Sequence, residues 1–242
     1  MKWIIVALLG AAIVSPGSRD HHQYEAGVIG SGVVAEETRS VAGIRAIACT
    51  TTGNLYVTQG ETESLTIQAN DNIIPLVTTK MHHGELRIAL DSEAGVSLTN
   101  PLNVYVMVKD LNRVELSDSW RAELRDLHTP HFELVLSGAS RASLTIHAED
   151  LAVRMRGASH ATAVGRTHTQ HVTLDGSSSY RATELLSDRC EIEASGSSTA
   201  EVYAIKYIDA AASGMGTISF AGSPAEVNSR ISDLGRVEPV AD

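Results

Sequence analysis

The stretch Phe132-Glu-Leu-Val-Leu-Ser-Gly-Ala-Ser-Arg-Ala142 decides the fold. Phe132, Leu134 and Leu136 place an apolar side chain at every second position, the period of a strand with one buried face. Ser137-Gly138 then supplies a corner, where glycine admits dihedrals that other residues resist. Beyond it, Ala142 and Leu144 resume the alternation. The same unit recurs along the chain: Asp118, Gly138, Gly157, Gly176, Gly196, Gly214 and Asp233 share one phase, at intervals of 18 to 20 residues. Two residues before each corner stand Leu116, Leu136, Met155, Leu174, Ala194, Ala212 and Ile231. Four residues after it stand Ala122, Ala142, Ala161, Tyr180, Ala200, Ile218 and Val237.

Self-similarity at a short fixed period is the mark of stacked coils, each one supersecondary unit that cannot bury its apolar face alone. The expected architecture is all-β: a right-handed parallel β-helix, or β-solenoid, with coils of about 19 residues, about seven of them over residues 109–240. Successive coils then lie ~4.8 Å apart and like residues form ladders along the axis. Upstream, alternating runs at 43–49, 54–59, 64–69, 85–90 and 102–109 are separated by the turn signals Gly53-Asn54, Gln59-Gly60, Asn70-Asp71-Asn72 and His83-Gly84. Residues 33–108 are therefore expected to form an N-terminal antiparallel β region that caps the solenoid, since an open coil edge is an unpaired strand edge.

At the start, Lys2, the apolar run Trp3 to Val14 and the small residues Ser15-Pro-Gly17 read as a secretory signal peptide over residues 1–17, followed by a flexible lead-in at 18–32. No later segment reaches the roughly 18 apolar residues of a spanning helix. With a net charge of -10 and scattered basic residues, nucleic acid is excluded as a partner. Aromatic content of 4% suits repeated thin cross-sections. The two cysteines, Cys49 and Cys190, are either two buried thiols or, in an oxidising compartment, a disulfide.

The runs Gly30-Ser-Gly32, Glu37-Thr-Arg39, Val41-Ala-Gly-Ile44, Leu55-Tyr-Val-Thr-Gln-Gly60, Asp71-Asn-Ile-Ile74, Gly84-Glu-Leu86 and Asn103-Val-Tyr-Val106, followed by Ser-Gly corners, resemble the putative auto-transporter adhesin head GIN domain family. The resemblance covers residues 30 to 238 and implies an exported bacterial envelope protein with a β-helical region. It carries over no catalytic residues. Arg156, Asp175 and Asp118 depart from the Ser or Gly expected at the corners.

Stacking brings particular outward side chains together. Five residues before the corner lie Arg113, Glu133, Ala152, His171, Glu191, Asp209 and Asn228. His171, Glu191 and Asp209, with Glu193 beside them, form a candidate binding column that could hold a cation or act as an acid and base on a polymer lying along the face. A solvated charged face that keeps the sheet from pairing elsewhere needs the same residues. His128 and His147 share a phase and are expected to stack, while His128/His131 and His168/His171 offer too few convergent ligands for a metal; no metal or other cofactor is expected. The corner serines Ser137, Ser195 and Ser213 recur for geometric reasons, and no Gly-x-Ser-x-Gly elbow accompanies them.

Two function classes follow. The first is a non-catalytic exported scaffold, periplasmic, cell-surface or secreted, whose repeated polar face binds a glycan, a surface polymer or an envelope protein, with self-association left open. The second is a polysaccharide-active lyase or hydrolase on a β-helix, by analogy of fold. Short corners leave little loop from which to build a cleft, which favours the first.

Overall fold

The computed structural model describes residues 27–91 and 95–240. The expected signal segment at 1–17, most of the lead-in, and His21 and His22 lie outside the described residues. In chain order the strands are β1 (Val28–Ile29), β2 (Val34–Arg39), β3 (Ala46–Thr50), β4 (Thr52–Gln59), β5 (Ser64–Asn70), β6 (Val77–His82), β7 (Glu85–Leu90), β8 (Val96–Ser97), β9 (Asn103–Val108), β10 (Arg113–Leu116), β11 (Ser119–Leu136), β12 (Arg141–Met155), β13 (His160–Leu174), β14 (Ser179–Ala194), β15 (Thr199–Ala212), β16 (Thr217–Ala221), β17 (Glu226–Ile231) and β18 (Arg236–Pro239). A 3-10 turn at Ile74–Leu76 precedes β6, and the described residues contain no α-helix.

The expected β-solenoid is present. Strands β11 to β15 are 14 to 18 residues long because each serves as the second arm of one coil and, after a bend, as the first arm of the next. Every pairing from β10 to β18 is parallel. Two ladders read from the corner phase are observed rung by rung. Leu116, Leu136, Met155, Leu174, Ala194, Ala212 and Ile231 are consecutive partners. So are Ala122, Ala142, Ala161, Tyr180, Ala200, Ile218 and Val237. All are buried except Ile231, which is 55% exposed, and the half-buried Val237. Both stand on the last described rung, where no further described strand lies over them.

The tight corners hold the stack together. Ala139 N donates to Asp118 O at 2.6 Å, Ala158 N to Gly138 O at 2.8 Å, Ser197 N to Gly176 O at 2.7 Å and Met215 N to Gly196 O at 2.7 Å, so the inter-coil hydrogen bonds run through the turn without a gap. Closing the turn needs a positive φ, 71° at Gly196. There a Cβ would fall 2.6 Å from the Gly176 carbonyl oxygen of the rung before, so the side chain is excluded twice, by dihedral and by contact. Asp118 and Asp233, which share the phase, also have positive φ, 67° and 57°. At the opposite end of each coil the bend is looser, with register shifts in β11, β13 and β14.

The N-terminal region is mixed, not wholly antiparallel. Strand β3 pairs in parallel with β10, placing Cys49 opposite Leu116, and β4 pairs in parallel with β11, placing Leu55 opposite Ala122. Thr51 between them has φ 82° and donates its backbone N–H to Asp118 Oδ2 at 3.0 Å, so it occupies the corner without glycine. Strands β7 and β9 add another parallel layer, on β3 and β4. Among the described residues antiparallel pairing appears only outside that layer, in β6 on β7, β5 on β9 and β2 on β5. Alternation by two is common to both kinds of strand, which is why the sequence could not separate them. Arg39 fastens the outer strands: its guanidinium donates to Val77 O at 2.5 Å, Ile74 O at 3.1 Å and Thr79 Oγ1 at 3.1 Å. Within the stretch expected as lead-in, β1 pairs in parallel with β8.

Deviations from the apolar ladders are also informative. Trp120 stands two residues after its corner, where later coils have the buried Ser140, Ser159, Ser178 and Ser198. Gly53 faces it, and a Cβ there would lie 2.7 Å from the indole ring. Gln170 occupies a core position between Leu151 and Cys190 and is fully buried. Its Nε2 donates to Ser187 Oγ at 2.6 Å, and the Tyr180 hydroxyl donates to its Oε1 at 3.4 Å.

Cys49 and Cys190 are free and buried. They lie in different columns, separated by the ladder steps from β3 through β10, β11, β12 and β13 to β14, each ~4.8 Å, well beyond the ~7 Å reach of a disulfide between Cα atoms. Burial pushes both thiols far above their ordinary pKa. A thiol-specific chromogenic reagent is therefore expected to label neither cysteine in the native protein and both in denaturant. Gly196→Ala is expected to destabilise the fold by about 2 kcal/mol, measured as a lowered chemical-denaturation midpoint.

Candidate functional site

The outward column on the first arm of the coils has the expected register: Arg113, Glu133, Ala152, His171, Glu191, Asp209 and Asn228 are consecutive partners. Its charges are satisfied in short local groups. Arg113 and Arg154 both pair with Glu133, and Arg113 also reaches Glu115 at 2.7 Å. His171 Nδ1 lies 3.0 Å from Glu191 Oε2. Asp209 turns to the next rung, where Arg230 Nη1 lies 2.8 Å from its Oδ1. The hydrogen bond from Arg230 Nη1 to Asp209 Oδ2, 3.1 Å long, raises the Arg230 pKa above its ordinary value, and the charges of Asp209 and Glu193 act the same way against desolvation. The structure thus joins His171 to Glu191 and gives Asp209 a cationic partner of its own, with Glu193 in the neighbouring column beside Thr173 and Ala211. Among the described residues no group of three or more His, Cys, Asp or Glu side chains could hold a metal ion.

At the looser end of the coils, the His128 and His147 rings stack as expected, with centroids 4.9 Å apart and planes 22° from parallel. His131 Nδ1 lies 2.8 Å from Asp150 Oδ2 of the next rung. Asp188, which sequence reasoning missed, is only 9% exposed and gathers three bases: Lys206 Nζ at 2.7 Å, His168 Nδ1 at 3.3 Å and Arg166 Nη2 at 3.7 Å. The hydrogen bond from Lys206 holds its carboxyl below the usual value despite the opposing effect of burial, with the Lys206, His168 and Arg166 charges adding to it. Asp188 falls at a register shift between β14 and β15 and is buried next to the buried Ser187, a break in alternation that the sequence gives no sign of.

The opposite sheet presents a different face. Three residues after the corner, Asn54, Arg121, Arg141, His160, Ser179 and Thr199 are stacked partners. Beside them run Tyr56, Glu123, Ser143 and Thr162. The short Ser143 and Thr162 leave a groove of about 330 Å³, walled by Arg121, Arg141 and His160 on one side and by Tyr56 and Glu123 at one end. The Tyr56 ring stacks on Tyr105 with centroids 5.0 Å apart and planes 14° from parallel. Corner phase alone could have found this column, by counting one residue short of the inward alanines.

The family described as putative auto-transporter adhesin, head GIN domain, matches residues 45–224. The chain belongs to this head GIN domain family. No curated protein matches its sequence. Among solved structures, a putative adhesin from Bacteroides fragilis superposes with a TM-score of 0.85 at 21% identity, covering 88% of this chain and 100% of that one. A putative lipid binding protein from Parabacteroides distasonis gives 0.72 at 16% identity, covering 88% and 99%. A putative adhesin from the same species gives 0.68 at 20%, with coverage of 88% and 99%. At these identities the likeness is one of fold. Membership of an auto-transporter adhesin family implies an exported protein, and no helix among the described residues is long and apolar enough to cross a membrane.

Within this head GIN domain the Asp188 cluster is a structural feature with a pH signature. A carboxyl whose folded pKa is depressed stabilises the native state above its unfolded value, ~3.9 for Asp, and that contribution is lost as pH falls through the lower folded value. Asp188→Asn is expected to lower the melting temperature at neutral pH and to flatten the decline on acidification, in melts recorded between pH 2 and 7.

Proposed function

We propose that this head GIN domain protein is a non-catalytic, exported binding scaffold, an adhesin-type module whose solenoid faces hold a glycan, a surface polymer or an envelope protein. The observation that carries this reading is the in-register repetition of outward side chains over successive coils, which makes an extended surface and not one focused pocket. The groups that acid-base or nucleophilic chemistry would recruit are otherwise engaged. Ser137 and Ser195 direct their hydroxyls to Leu116 O and Leu174 O of the preceding coil, and His131, His168 and His171 each face a carboxylate of the next. The names of the fold relatives diverge between adhesion and lipid binding, so the fold by itself does not specify a ligand. Export through cleavage of residues 1–17 belongs to the same proposal and is checked by the N-terminal mass of the secreted chain.

The test is binding of the mature protein to an array of bacterial and host surface glycans, alongside assays for release of reducing ends or unsaturated sugars. Binding without turnover is expected; turnover of any polysaccharide would favour the lyase or hydrolase alternative. Substituting Glu191 and Asp209 by Ala is expected to change affinity by no more than about twofold, since exposed ion pairs contribute little.

A further inference from the structure

We infer that the groove between Arg121, Arg141 and Tyr56 binds an acidic polysaccharide, with the two guanidinium groups each gripping a carboxylate on successive sugar residues. This rests on the reading of the protein as a binding scaffold and names the ligand class and the face that takes it. Neither Arg121 nor Arg141 makes an ion pair or side-chain hydrogen bond among the described residues, although both are exposed and the chain carries a net charge of -10. On the opposite sheet the arginines are engaged: Arg113 and Arg154 share Glu133, and Arg230 holds Asp209. Two adjacent like charges with no counterion cost stability through mutual repulsion, and an anion is what that arrangement fits.

The surroundings suit a sugar. Arg121 and Arg141 are direct partners on neighbouring rungs, ~4.8 Å apart, close to the repeat of a pyranose chain, so a polymer laid along the solenoid axis presents one residue per rung. The floor is short and hydroxylated, with Ser143 and Thr162, which leaves room for the chain and offers it hydrogen bonds. At one end the stacked Tyr56 and Tyr105 give an aromatic surface, Tyr105 being 39% exposed. An amide relay fixes the polar edge there: Asn54 Nδ2 donates to Asn103 Oδ1 at 2.8 Å, Asn103 Nδ2 to Gln68 Oε1 at 2.9 Å and Gln68 Nε2 to Glu36 Oε1 at 2.7 Å. Glu123, the one carboxylate lining the groove, is paired with Arg125 at 2.7 Å, which reduces its repulsion of an anion. At the far end His160 continues the arginine column, its Nδ1 donating to Ala158 O at 3.2 Å and its other ring nitrogen left free for the ligand.

The experiment is calorimetric titration of the mature protein with oligogalacturonate, a neutral oligosaccharide of the same length, a sulfated dextran and a single-stranded oligonucleotide. Oligogalacturonate is expected to bind and the neutral sugar to fail. Arg121→Ala with Arg141→Ala should weaken binding at least about tenfold, the corresponding lysine pair should restore only part of it because bidentate contact is lost, and Tyr56→Ala should weaken it several-fold. Melting temperatures no lower than that of the unsubstituted protein would show the variants folded. Absence of binding to oligogalacturonate, equal binding of the neutral sugar, or indifference to the arginine pair would each overturn the inference. Equal or tighter binding of the sulfated dextran or the oligonucleotide would overturn it as well, by showing a general polyanion surface. If the protein binds a neutral glycan and the arginine variants keep that binding, the scaffold reading stands and this inference alone falls.

Discussion

The structure depends on one contact repeated down its axis: the backbone of each corner donating to the carbonyl of the corner below. A coil of some 19 residues buries too little to order itself, so its stability is borrowed from neighbours. The hydrogen bonds through the turn, such as Ser197 N to Gly176 O, make that borrowing continuous, because the ladder does not stop where the chain reverses. They also impose the dihedral and the missing side chain at Gly138, Gly157, Gly176, Gly196 and Gly214. Once the corners are stacked, register has no freedom left, and a slip of one residue would turn every inward alanine and leucine out to water.

From that constraint comes the legibility of the solenoid. The corner glycines mark a phase, the phase predicts which residues are partners, and the inward ladders through Leu136 and Ala142 and the outward column through His171 and Glu191 are where counting places them. The phase is lost where neither Gly nor Asp marks the corner. Thr51 forms a corner by positive φ without the residue that announces it, so β3 and β4 look like the strands of a separate antiparallel unit although they are a rung of the solenoid. At the looser bends, register shifts near Leu124 and Ala182 change the face that follows, which hides Asp188 from any reading based on alternation. Partner identity in the ladder was readable, and side-chain direction was readable only in part: Asp209 shares a column with Glu191 yet turns to Arg230.

The two outer faces illustrate how a repeated scaffold separates stability from recognition. On the first sheet, opposite charges alternate closely enough to neutralise one another, as Arg113, Glu133 and Arg154 do, and such a face discourages lateral pairing with another sheet. On the second sheet, Arg121 and Arg141 meet like charge with like, with short side chains next to them and the Tyr56 and Tyr105 rings at one end. Cross-strand pairs of like charge are unfavourable, and an anion held between Arg121 and Arg141 would offset that repulsion. Both faces rest on the same ladders, and the first also sets Glu191 beside Asp209, but there His171 and Arg230 answer the two carboxylates, whereas Arg121 and Arg141 have no ion-pair partner among the described residues.

That incompleteness also bears on scale. A ligand held by one rung would gain from a few exposed contacts, each weak in water, whereas a polymer in step with the rungs gains from every coil it crosses once the first contact has paid the cost of association. A parallel solenoid sets that step at the strand spacing irrespective of sequence, and substitution of outward residues leaves the inward ladders untouched. The family can therefore keep its corners and core while changing the chemistry of its faces, and fold relatives at 16 to 21% identity can share this backbone while carrying names as different as adhesin and lipid binding protein. What a given member recognises must then be read from side chains such as Arg121, Arg141 and Tyr56, whose positions the fold dictates and whose identities it does not.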